Sequence, residues 1–212
     1  KDGPALVIAG PGSGKTTVIV NRVYNLIIKH NIKPSSILVI TFTKAAAVSM
    51  KERFMSLEGS LNVPVTFGTF HAVFFTILRH AYNYSVNSII TRDLQYNFIR
   101  DKLISFELEY SDENEMVNSI LSQISKVKND CLNIDEYIST ACPDETFRII
   151  YKEYGKMLIS RRLIDYDDMV VLCNELLTQR ADYKAAWQDK YKYILIDEFQ
   201  DINKMQFDTI KL

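Results

Sequence analysis

Eight residues near the start of the chain, Ala9-Gly10-Pro11-Gly12-Ser13-Gly14-Lys15-Thr16, have the composition of a phosphate cradle. A triphosphate needs several donors converging on its β and γ oxygens. Backbone N–H groups in a Gly-rich turn supply them without side-chain clash. Lys15 would bring a point charge to the β/γ-phosphates and Thr16 a hydroxyl to Mg²⁺, with Thr17 completing the candidate nucleotide-binding set. The run fits the P-loop pattern except at Ala9, which stands where the pattern has its first glycine. That position adjoins the preceding strand and need not face the nucleotide. Such a loop works with an acidic strand end, and Leu195-Ile196-Asp197-Glu198 has that form. Asp197 would hold Mg²⁺ through water, and Glu198 would orient or deprotonate the attacking water. The chemistry of the two segments together is Mg²⁺-assisted hydrolysis of a nucleoside triphosphate.

The elements that must position these groups follow from apolar periodicity. Ala5–Ala9 is a continuous apolar run, expected of a parallel strand buried on both faces. Lys15–His30 carries Ile19, Val23, Leu26 and Ile27 at helical spacing, and Lys33-Pro34 marks its end. Ile37–Ile40 predicts a second buried strand, and Lys44–Leu57 a helix with Ala47, Met50, Phe54 and Leu57 on one face. Val65–Phe67 is a shorter strand and His71–Tyr82 a helix. From about residue 83 to 162 the pattern is helical throughout. Leu94, Phe98, Ile99, Leu103 and Phe106 line one face, Val117, Ile120, Leu121, Ile124 and Val127 a second. Phe147, Ile150, Tyr151, Tyr154, Met157 and Leu158 line a third, with Pro143 placed to open that helix. Asp165 would N-cap a helix over Asp165–Leu177, and Tyr193–Ile196 is a buried strand leading into Asp197. The fold class expected is α/β: a P-loop NTPase domain with a parallel sheet, interrupted by an all-helical insertion.

Composition agrees with a packed chain. Its 212 residues are 47% hydrophobic and 24% charged, which excludes disorder, and 7 Gly with 5 Pro exclude collagen-like and linker classes. No apolar run is long enough for a membrane-spanning helix, so no membrane partner is expected. Three widely spaced cysteines, Cys131, Cys142 and Cys173, make neither a disulfide framework nor a zinc site. With no signal peptide pattern at the N-terminus, a reducing cytoplasm is the default location. The net charge of -1 is an average: residues 1–79 carry +6, residues 80–162 carry -3 and residues 163–212 carry -4.

Five segments in order, AGPGSGKT, ITFTKAAAVSMKERF, GTFHAVFFTILR, LIDYDDMV and ILIDEFQD, make the sequence resemble superfamily 1A DNA helicases of the UvrD/Rep/PcrA type. The resemblance covers almost the whole chain apart from the variable helical block, and Asp197-Glu198-Phe199-Gln200-Asp201 is its most specific part. It implies a RecA-like ATP-binding domain (1A) at 1–79 and 163–212, and a helical insertion (1B) at 80–162 lying over DNA near the duplex junction. It implies ATP and Mg²⁺ bound through Lys15, Thr16, Asp197 and Glu198, with Gln200 coupling γ-phosphate state to the DNA site. Thr41-Phe42-Thr43-Lys44 and Gly68-Thr69-Phe70-His71 match the segments that contact single-stranded DNA. Hydroxyls, amides and Lys44 suit phosphates, and an aromatic such as Phe42 can stack on any base. In the insertion, Lys126/Lys128 and Arg161/Arg162 are further candidate contacts.

The activity implied is ATP-dependent movement on single-stranded DNA, 3′ to 5′, with duplex unwinding at single/double-strand junctions, in DNA repair, replication or recombination. Family members carry an adenine-reading glutamine motif upstream, and this chain begins only eight residues before Ala9. They also carry a second RecA-like domain, with an arginine that completes the ATP site, after DEFQD. The expectation is therefore a piece of a longer helicase, inactive by itself and partnered by the second domain of the same chain. Two alternatives share these motifs: the motor part of a helicase–nuclease subunit, and a nucleotide-gated DNA-binding protein without processive unwinding.

Overall fold

The computed structural model describes residues 3–10, 12–57 and 63–212. The chain forms two compact units: residues up to Ala72 with Asp182–Ile202, and Val73–Ala181 with Asn203–Leu212. The first is built on three parallel strands, β1 (Ile37–Thr41), β2 (Thr66–Thr69) and β3 (Tyr193–Ile196), in the order β2-β1-β3. Val39 lies opposite Phe67 on one side and Leu195 on the other. Every residue of β1 is buried, as its continuous apolar run requires of a central strand.

Two helices cover one face of this sheet. α1 (Lys15–Ile28) contributes Val20, Val23 and Leu26, and α2 (Lys44–Met55) contributes Met50 and Phe54, to a core shared with Ile37 and Val39. α1 ends in a left-handed Asn31 (φ 52°), with the Ile32 N–H donating to the Leu26 carbonyl at 3.0 Å, a closure that explains the stop before Pro34. α2 starts at Thr43, whose side chain accepts from the Ala46 N–H at 3.1 Å.

One expected strand is absent. Ala5–Ala9 takes no strand conformation, Leu6 and Val7 are exposed, and Ile8 is 90% exposed. An apolar run states that a segment can be buried on both faces, but a strand exists only through its ladder. Among the described residues β3 pairs with β1 alone, and Ala5–Ala9 pairs with neither. The sequence reading of a strand before the phosphate loop is therefore corrected: the loop is preceded by chain that joins no strand among the described residues.

α3 (Phe70–Tyr82) carries the chain from the first unit into the second. There α4 (Arg92–Ser105), α5 (Glu113–Asn129) and α6 (Asp144–Ser160) bury Ile99, Leu103, Val117, Ile120, Ile124, Phe147 and Ile150 in one core. The three faces expected from periodicity all pack there. Pro143 takes the N-cap position, one residue before the helix it was expected to open from within. An isolated parallel bridge joins Ile89 to Ile164 and leads into α7 (Tyr166–Gln179), capped by Asp165 through a 2.7 Å bond from the Asp168 N–H. A further helix, α8 (Ala181–Lys190), carries no buried residue and so gave no periodic signal. α9 (Lys204–Lys211) packs with α7, where the Asn174 amide donates to the Thr209 hydroxyl at 3.1 Å. The second compact unit holds α7 and α9 together with α4, α5 and α6. No described helix is long and apolar enough to cross a membrane.

Candidate nucleotide site and strand-end loops

The Gly-rich loop earns its glycines by conformation. Gly12 and Gly14 have φ of 71° and 84°, the left-handed region that costs an L side chain. An added Cβ would meet nothing within 4 Å at either, so backbone angle and not crowding excludes other residues. The turn is closed by Ser13, whose N–H and hydroxyl both donate to the Gly10 carbonyl, at 3.3 and 2.6 Å. Gly14 then caps α1 with no side-chain bond, and α1 has no acid in its first turn. The positive end of the helix dipole is left uncancelled by side chains, as an anion site requires. Lys15 and Thr16 are half-buried in that first turn, Ala9 is half-buried and Gly10 exposed. Thr17 is exposed, its carbonyl accepting from the Asn21 amide at 2.9 Å. Pro11 lies outside the described residues.

The acidic pair emerges from β3. The Asp197 N–H donates to the Ile40 carbonyl at 2.9 Å, fixing the carboxyl beside the end of β1. Asp197 is 7% exposed. Burial, then the charge of Glu198, pushes its carboxyl above the ordinary aspartate value, against the Glu198 N–H, Lys15 and the Thr41 hydroxyl. Glu198 takes a left-handed backbone (φ 48°, ψ 48°), a strained setting for a non-glycine residue, and turns the chain into a one-turn 3-10 helix at Phe199–Asp201. That turn brings Glu198 Oε2 to 3.7 Å from Lys15 Nζ and 2.6 Å from the donating Gln200 Nε2. Gln200 also reaches Asp201 Oδ2 at 3.2 Å. Lys15, distant in sequence, and Gln200, two residues along, thus meet at the Glu198 carboxylate.

The donor set fits Mg²⁺. No group of three or more His, Cys, Asp or Glu side chains gathers among the described residues. Mg²⁺ asks for less, since it keeps waters and binds through one or two protein oxygens together with substrate phosphates. Thr16, next to Lys15, and the buried Asp197, next to Glu198, are oxygen donors of the kind that would serve.

The candidate DNA segments occupy neighbouring strand ends, with Thr41 opposite Thr69 in register. Their side chains are sorted differently. Phe42 is 48% exposed, and Thr43 and Lys44 are exposed. Thr41 is 1% and Phe70 2% exposed, so as placed neither side chain presents a surface to DNA. Thr69 is half-buried and its hydroxyl accepts from the Ala72 N–H at 3.3 Å; His71 is half-buried. In the second unit Lys128 is corrected as well. Its ammonium lies 2.7 Å from Asp165 and 2.6 Å from Asp168, largely buried, while Lys126, Arg161 and Arg162 remain exposed. Sequence reasoning missed that Thr41 ends β1 next to the start of the acidic pair, because only strand order brings those segments together.

A parallel sheet with an acidic pair at the end of one strand, met by the lysine of a Gly-rich turn that opens a helix, defines an α/β domain of the P-loop class. Residues 1–212 match the family model for the UvrD/REP helicase N-terminal domain, and the chain belongs to that family. It is 35% identical to a probable DNA helicase II homolog of Mycoplasma capricolum, over 99% of this chain and 30% of that protein. It is 36% identical to ATP-dependent DNA helicase Rep of Buchnera aphidicola, over 99% of this chain and 32% of that protein. Identity to ATP-dependent DNA helicase PcrA of Bacillus subtilis is 33%, over 99% and 29% respectively. The chain spans roughly a third of the length of these curated relatives.

Proposed function

We propose that these residues are the ATP-binding domain of a DNA helicase that couples ATP hydrolysis to 3′ to 5′ movement on single-stranded DNA. The observation that carries the reading is the 3.7 Å approach of Lys15 to Glu198, which supports pairing a candidate phosphate-binding lysine with a candidate base. Thr16 and Asp197 would hold Mg²⁺, whose charge offsets that on the β- and γ-phosphate oxygens. Phosphate oxygens compete with Glu198 for Lys15, leaving the carboxylate to Gln200 and to a water. Glu198 then takes a proton as the water oxygen bonds to the γ-phosphorus and the bond to the β-phosphate oxygen breaks, with ADP leaving on the electron pair. Gln200, bonded to that same carboxylate, is placed to register the change.

Phe42, Thr43 and Lys44 form the grip: an exposed aromatic for a base, with hydroxyl, helix N-terminus and ammonium for phosphates. A second motor domain of the same full-length protein would complete the ATP site, and its closing and opening would move the strand. The test is Lys15→Ala in full-length protein. DNA-stimulated ATP turnover should fall by more than about 100-fold, the scale of losing a charge clamp on the transferring phosphoryl group, while single-strand affinity stays within about twofold. Turnover near wild type would refute the assignment.

A further inference from the structure

The LIDYDDMV segment has no part in the proposed reaction, yet one of its carboxylates is bonded, through a single side chain, to the start of α9. Asp167 lies half-buried in the first turn of α7. Its Oδ1 accepts from the amide of Asn129, the last residue of α5, at 2.8 Å. The same amide nitrogen reaches the Ser125 carbonyl at 3.0 Å and the Ser125 hydroxyl at 3.2 Å. Exchanging the nitrogen and oxygen would set a carbonyl oxygen against a carboxylate, so these bonds fix the orientation of the amide. Asn129 Oδ1 is thereby turned to Asn203, whose Nδ2 donates to it at 3.0 Å. The rest of Asn203 is engaged in a capping box with Gln206, itself 5% exposed: Oδ1 accepts from the Gln206 N–H at 2.7 Å, and the Asn203 N–H donates to Gln206 Oε1 at 3.2 Å. Asn129, Asp167 and Asn203 all belong to the second unit.

Along the chain, Asn203 is the second residue after the Phe199–Asp201 turn. That turn is closed by the Asp201 N–H donating to the Glu198 carbonyl at 2.9 Å and the Ile202 N–H to the Phe199 carbonyl at 3.5 Å. A left-handed backbone at Glu198 persists only where the surrounding chain over-determines it. The bond from the Asp197 N–H to the Ile40 carbonyl holds the chain before it, and the Asn203 bonds hold the chain after the turn. We infer that Asn129 and Asp167 are positioning residues for ATP hydrolysis: by fixing the Asn203 side chain they set the exit of the turn that aims Glu198 and Gln200. This rests on the nucleotide-site reading above and extends it to residues outside the acidic motif.

The experiment compares Asn203→Ser and Asn129→Leu in full-length protein. Serine keeps an N-cap acceptor for α9 but is too short to donate to Asn129, and leucine removes the bridging amide. Each should lower kcat for ATP roughly tenfold, the scale of one hydrogen bond. KM for ATP and single-strand affinity should stay within about twofold, because neither Lys15 nor the Phe42–Lys44 turn is touched. The double variant should lose no more than either single one. Asn174→Ala is the control: it removes the 3.1 Å bond to Thr209, a link between α7 and α9 further along α9, and should leave kcat unchanged. A role in helix packing alone would make the three variants alike. If Asn129→Leu does not fold, Asn203→Ser against Asn174→Ala still decides. An unchanged kcat in Asn203→Ser, an additive double variant, or an equal fall in Asn174→Ala would each overturn the inference. Lys15→Ala separates the two levels. If it keeps full turnover, the nucleotide-site reading falls and takes this inference with it. If it is inactive while Asn203→Ser matches wild type, the positioning role alone falls.

Discussion

Phe42 and Phe70 are alike in sequence: each follows a threonine where a strand gives way to a helix. Their surroundings make them opposites. Phe42 stands 48% exposed beside Lys44, whereas Phe70 is 2% exposed. Removing an aromatic that serves as a base platform costs about 1–3 kcal/mol per base, so Phe42→Ala should weaken single-strand binding by about tenfold or more. Its unfolding midpoint should hardly move. Phe70→Ala should do the reverse, costing about 3–5 kcal/mol of stability through lost burial and a cavity. Fluorescence anisotropy beside urea unfolding on the two variants separates the roles; equal loss of DNA affinity in both would contradict the assignment. Glu198 is a third case where residue type alone says little. Its role depends on a left-handed backbone that aims the carboxylate back at Lys15 and Gln200.

At the scale of elements, the LIDYDDMV segment performs a task that its acidic composition does not announce. Asp165 Oδ1 caps α7, while Oδ2 accepts from Lys128 on α5 at 2.7 Å and from the Tyr154 hydroxyl on α6 at 3.1 Å. Gln95 on α4 donates to the same hydroxyl at 2.7 Å, so four helices converge on one buried charge group. Burial works against the Lys128 ammonium, but Asp165 and Asp168 outweigh it and hold its pKa above the ordinary lysine value. Lys128→Ala strands two carboxylates in the interior and should cost about 3–5 kcal/mol in urea unfolding. For Asp168 the balance tips the other way: burial, then the Asp165 charge, lifts it to about 6 despite Lys128. Folded chain therefore binds a proton that unfolded chain has released. Stability from this group falls as pH rises from the unfolded value of 3.8 to about 6 and is level above that. Asp168→Asn should flatten unfolding free energy across that window, and an unaltered slope would show that another group sets it. Element ends marked by such capping chemistry were legible in advance, Asp165 being one. α8 was not, because it buries no residue and leaves no periodic trace.

For the molecule as a whole, the net charge of -1 speaks against nucleic acid until it is divided, when the first 79 residues carry +6. Phosphate contacts made from that segment release counterions, so affinity for single strands should fall linearly in a plot of log K against log salt. Lys44 is exposed at the start of α2, beside Phe42. Lys44→Ala should reduce the slope by about 0.7, the share of one phosphate on a single strand, while Phe42→Ala leaves the slope unchanged. A slope unaltered by Lys44→Ala would remove that lysine from the grip.

Features legible in the residues alone are those that neighbours along the chain decide. The turn glycines at 12 and 14, the cap at Asp165, the apolar faces of α4, α5 and α6, and the chemical identity of the Lys15 and Asp197-Glu198 segments all follow from local sterics and periodicity. Who pairs with whom is settled only when the chain folds. Folding left Ala5–Ala9 without a ladder, buried Thr41 at the end of β1 when its motif suggested DNA, and closed Lys128 between two carboxylates. The reason is physical. Strand pairing, burial and ion pairing are set by residues distant in sequence, and a side chain's role is fixed by the partner it meets as much as by its own chemistry.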